Sequence, residues 1–183
     1  MIINVQDHLH RPHTMDRIRA TSTSSASPTM MDAVRTGAVA GAFASVASTL
    51  ALVSCGHRES GSSAAATNAT SHWLWGREAL KTKRPSWRHT AVGYVIHHCM
   101  ATFWAVLYAW LHANRHPRQS APAALASAGA AAATACAVDY TITPERLTPG
   151  FEHHLSKSSM LLVYAMFALG LAAGCAVANR TRH

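Results

Sequence analysis

Charged side chains are scarce in this sequence. Asp, Glu, Lys and Arg make up 13% of the 183 residues, against about 25% in a soluble domain. None falls within Thr36–Gly56, Gln119–Val138 or Ser158–Asn179, and between His89 and Ala113 only histidines could carry charge. Such gaps argue against a soluble bundle, whose helices would show charge at helical spacing on an outer face. Carboxylates are scarcer still: eight Asp and Glu face 16 Lys and Arg, for a formal charge of +8. No zinc-finger spacing or RNA-binding aromatic motif accompanies that excess, so nucleic acid is not the expected partner. The basic residues flank the apolar stretches, where lipid headgroups receive them. The four cysteines form no CxxC pair, and neither HExxH nor GxSxG occurs. Those signatures of zinc, redox and hydrolase chemistry are therefore missing.

What fills the gaps is apolar. A membrane span needs about 20 mostly apolar residues, and four segments qualify: Val34–Cys55, Thr90–His112, Ala121–Tyr140 and Ser159–Ala178. The expected fold class is all-α: an integral membrane four-helix bundle formed by residues 30–183, with the lipid bilayer as its first partner. The third segment is mostly alanine, which gains little from lipid, so a soluble alanine-rich helix is its alternative reading. Each cysteine lies in one span, Cys55, Cys99, Cys136 and Cys175, as small thiols packed between helices do.

Residues 1–29 differ from the rest. HLHRPH and TSTSSASP contain little that could form a core, so this stretch is expected to be a disordered tail or a mis-assigned start before Met30 or Met31. Lys and Arg divide evenly, eight on each side of the expected membrane, which leaves orientation open. In the first loop Trp73, Leu74, Trp75 and Leu80 lie next to Arg77, Lys81 and Lys83, the pattern of a short interfacial helix. Trp73 and Trp75 are its expected anchors. Two Thr-Pro pairs before the fourth span predict short helical turns with threonine as N-cap.

Small residues four apart let helices approach closely in lipid. Gly37 and Gly41 do so in the first span, Ala101 and Ala105 in the second, and Gly170 and Gly174 in the last. These predict a tight bundle within one chain, with a homo-oligomer or a membrane-complex partner left open.

GYVIHHCMATFWAVLYAWL places two histidines inside a span. At about 100° per residue, His97, His98, Tyr94, Ala101, Ala105 and Tyr108 share one face, and the bulky residues occupy the other. Ionisable groups inside a membrane suggest function by default. Asp139, closing the third span on the same side, is the expected partner of His97 or His98, with His72 and Glu152 supplied by loops. Three readings compete: neutral histidines bridging helices, a metal site for zinc or another transition metal, and a proton relay. Adjacent histidines diverge on a helix, which weighs against a shared metal ion. No cofactor is expected otherwise.

NATSHWLWG, RPSWRHTAVGYVIHH and DYTITPERLTPGFEHHLSKSSMLLVYAMFALGLAAG together resemble a family of small, uncharacterised four-span bacterial inner-membrane proteins. The resemblance implies a multi-pass inner-membrane location and no particular activity. The leading expectation is a non-enzymatic structural or accessory membrane component. Metal or proton handling through His97, His98 and Asp139 is the rival, and a membrane-embedded hydrolase is a distant third.

Overall fold

A computed structural model describes residues 28–181, and those residues form helices and turns without strands. The stretch read as a tail lies outside the described residues, except for Pro28 and Thr29. Thr29 caps α1 (Met30–Ser60) in a capping box: its hydroxyl oxygen accepts from Asp32 N–H, and its own N–H donates to the Asp32 carboxylate. The helix runs past the expected limit at Cys55 because His57, Arg58 and Glu59 are good enough helix formers. It stops at Gly61, whose φ of 73° is left-handed.

The first loop contains three short helices rather than one: α2 (Ala65–Thr70), α3 (His72–Trp75) and α4 (Arg77–Lys81). The break between the last two is Gly76, at φ 57° and ψ −142°, a conformation open to glycine alone. A π-helical turn, Trp87–Ala91, leads into α5 (Val92–Leu111). Next come α6 (Ala121–Thr141), with Pro122 in its first turn, and α7 (Lys157–Arg180). Short turns at Glu145–Leu147 and Phe151–His153 follow the two Thr-Pro pairs. The threonines do not cap them, because Pro144 and Gly150 take the cap positions. Thr148 instead donates its hydroxyl to Glu152.

Four helical stretches are long and apolar enough to cross a membrane: Met30–Ser60, Trp87–Arg115, Ala121–Thr141 and Lys157–Arg180. α1 is central and packs most extensively on α7 and α5, whereas α6 rests mainly on α7 and barely touches α5. Glycine makes both large contacts. A methyl group on Gly37 or Gly41 would sit 2.5 Å from Val106 Cα or 2.6 Å from Thr102 Cα of α5. On Gly170 or Gly174 it would sit 2.6 Å from Ala44 Cα or 2.5 Å from Ala40 Cα of α1. Backbone thus lies against backbone on both sides of α1, and Ala101, Ala105, Ala128 and Ala132 complete a core of small side chains with Phe167 and Leu171. Helices α2–α4 fold over one end. Gly93 permits this, since a Cβ there would overlap the Thr67 carbonyl.

Candidate functional site

The polar face of α5 meets two serines one turn apart on α1. His97 Nε2 lies 2.8 Å from Ser48 Oγ, and His98 Nδ1 lies 2.8 Å from Ser45 Oγ. Each hydroxyl also reaches a carbonyl of its own helix, Ser48 to Ala44 at 2.8 Å and Ser45 to Ala42 at 3.1 Å. A hydroxyl has one proton to give. With that proton on the α1 carbonyl, His97 Nε2–H and His98 Nδ1–H donate to the serine oxygens. Tyr94 stacks on His98, with ring centroids 5.9 Å apart.

Asp139 is not the hydrogen-bond partner of either histidine. Its carboxylate accepts from the Tyr164 hydroxyl at 2.6 Å. The reason lies in the packing: α6 leans on α7, so the last turn of α6 delivers Asp139 to an α7 side chain. Arg146 does not pair with it either; among the described residues Glu78 pairs with Arg88 at 3.3 Å, and His89 Nε2 lies 3.6 Å from the same carboxylate. Even so, His97, Ser48, Asp139 and Tyr164 line one cavity of about 60 Å³, walled by Trp73, Trp104, Phe151 and Phe167. A cavity of that size is large enough to admit water.

The loop residues go elsewhere. His72 is buried, with Nδ1 2.9 Å from the Ala69 carbonyl oxygen and Nε2 3.5 Å from that of Glu145, so it joins the cap to the last loop. Glu152 accepts from Thr148 at 2.8 Å and from the Tyr140 hydroxyl at 3.3 Å. His153 is exposed, whereas His154 Nε2 donates to the Leu80 carbonyl at 2.9 Å. Burial holds the His154 pKa below the usual imidazole value; the Leu80 hydrogen bond opposes this, and the Lys83 and His153 charges reinforce it. Among the described residues no three His, Cys, Asp or Glu side chains converge as metal ligands would, and no disulfide joins two cysteines. The five residues expected to cluster thus occupy separate hydrogen-bond sites, apart from the cavity shared by His97 and Asp139. Trp73 lines that cavity and donates Nε1–H to the Thr148 carbonyl at 2.8 Å. Trp75 donates to the Arg88 carbonyl at 3.1 Å, with the Arg88 guanidinium 4.5 Å above its ring.

One polar network escaped the sequence reading. Buried Asn68 donates to the carbonyls of Thr82 and Arg84 at 2.8 and 3.0 Å, and accepts from Thr90 at 2.7 Å. Beside it, Ser71 Oγ, His89 and Glu78 stand in the order of a serine-hydrolase triad, with 3.2 Å between Ser71 Oγ and His89 Nδ1. The serine is no nucleophile. It is fully buried and gives its proton to the Asn68 carbonyl at 2.7 Å. These positions share no helical period, so only the doubling-back of the loop joins them. Compared with known proteins, the chain matches no family model, no curated protein and no solved structure.

Proposed function

We propose that the chain is a non-enzymatic, multi-pass component of a bacterial inner membrane, structural or accessory to a larger assembly. On this reading the four long helices form a transmembrane bundle, and α2–α4 lie at the interface over one end. The observation that carries it is the engagement of both intramembrane imidazoles by Ser48 and Ser45 of α1. A buried polar pair whose hydrogen bonds go to a neighbouring helix acts as a cross-link. The test is a His97→Ala/His98→Ala variant beside the natural chain, both purified in detergent. A lower unfolding temperature with no transition metal in either preparation supports the reading. Near-stoichiometric metal that disappears in the variant overturns it.

A second reading is proton handling, favoured by the cavity that His97 and Asp139 share. Water there would link an imidazole to a carboxylate through Ser48 and Tyr164. Proton flux into vesicles containing the natural chain, absent from an Asp139→Asn variant, would replace the first reading with this one.

A further inference from the structure

At the end of the molecule opposite the α2–α4 cap, a hollow of about 390 Å³ opens between the end of α5, the 112–120 turn, the start of α6 and the end of α7. Arg118, Gln119, Asn179 and Arg180 supply its polar wall. Neither arginine has a carboxylate partner among the described residues. The one carboxylate described at this end, Asp32, is engaged in the α1 capping box. The Gln119 side-chain oxygen lies 3.4 Å from His112 Nε2, so the amide NH2 is the part left to donate. The floor is different in kind: Tyr108, Ala124, Ala172 and Ala176 present ring, methyl and backbone carbon. That floor continues onto the flanks of helices long and apolar enough to lie in lipid.

We infer that this hollow is a binding site for an anionic phospholipid. The headgroup phosphate lies between Arg118 and Arg180, and an acyl chain runs down the small-residue floor. Charge complementarity carries the choice. Two guanidiniums and two side-chain amides are donors suited to phosphate oxygens, and basic pockets between membrane helices hold lipid headgroups in this way. A soluble phosphate would use the donors but leave the apolar floor against water, which favours a ligand with a hydrocarbon part. The site rests on the membrane location proposed above but shares no residue with the His97–His98 pair, so it stands or falls separately from the cross-link.

The experiment titrates the full chain in detergent with dioleoylphosphatidylglycerol and counts bound lipid by native mass spectrometry. Dioleoylphosphatidylcholine has the same tails and serves as the zwitterionic control. One phosphatidylglycerol per chain is expected, bound more tightly than phosphatidylcholine. Two arginines near a lipid surface are together worth about 30-fold in affinity, so R118Q/R180Q should bind that much more weakly. Both side chains are exposed, so this variant should fold. Ala176→Trp, also at an exposed position, fills the floor with both arginines intact and should weaken binding as well. Unchanged affinity in either variant overturns the site. Displacement of the lipid by millimolar inorganic phosphate overturns the lipid assignment and makes the hollow a site for soluble anions.

Discussion

The Tyr164 hydroxyl lies 2.6 Å from Asp139 Oδ2 and joins α7 to α6 at the rim of the interior cavity. Few other contacts hold α6, which has no comparable interface with α1 or α5. Tyr164→Phe leaves the ring in place and strips the carboxylate of its donor. Leaving a partly buried acceptor unsatisfied costs about 1–3 kcal/mol. The variant should therefore unfold at a lower temperature in detergent, with α6 exchanging its amide hydrogens faster than α1 does. Equal protection in the two proteins would show that the hydrogen bond does not hold α6.

Helix-to-helix hydrogen bonds in membrane proteins average about 0.6 kcal/mol each. Ser48→Ala should cost about that much when His97 is present and much less when His97 is already leucine. A double-mutant cycle on chemical unfolding reads the coupling directly. Ser45 with His98 forms a second, separate cycle. Zero coupling in both cycles would remove the cross-link as the reason for two histidines in this helix.

Glycine replacements should divide sharply. Gly41→Ala and Gly174→Ala push a methyl into backbone of the neighbouring helix at 2.6 and 2.5 Å. Overpacking of that kind costs about 1–3 kcal/mol. Gly129 on α6 has nothing within 4 Å of an added Cβ, so Gly129→Ala should stabilise the helix by about 0.5–1 kcal/mol through its better propensity. Thermal unfolding of the three variants side by side checks the order. A destabilised Gly129→Ala would mean that another surface packs against α6.

The four long helices were legible because a membrane-length apolar run is a property of the sequence alone. The helix ends were less so: α1 starts at Met30 under the Thr29–Asp32 capping box and runs to Ser60, beyond the expected Val34–Cys55 at both ends. The partners of His97 were not. The helical wheel placed its face correctly, but choosing Asp139 required knowing that α6 leans on α7 instead of α5, and no spacing in α6 records that. The serines on α1 are sparse polar positions of the first span, and nothing in their spacing names the histidines as their partners. The folded first loop was the least legible part. Asn68, Ser71, Glu78 and His89 come together through turns at Gly76 and in the π-helical segment, and neither leaves a periodic trace.

His154 predicts a pH dependence outside the four long apolar helices. Its folded-state pKa lies below the ordinary 6.5, chiefly because burial disfavours the charged ring. Below that ordinary value the unfolded chain takes up a proton that the folded chain resists. The unfolded state then binds more protons, and stability must rise with pH through this range. The contribution is fully present above pH 6.5 and is lost as the pH falls through the folded pKa. His154→Gln keeps a donor for the Leu80 carbonyl but cannot titrate. Between pH 7.5 and pH 5 the unfolding temperature of the variant should fall less than that of the natural chain. If the two fall in parallel, His154 makes no contribution to the acid limb, and the half-buried imidazole has found enough water to charge freely.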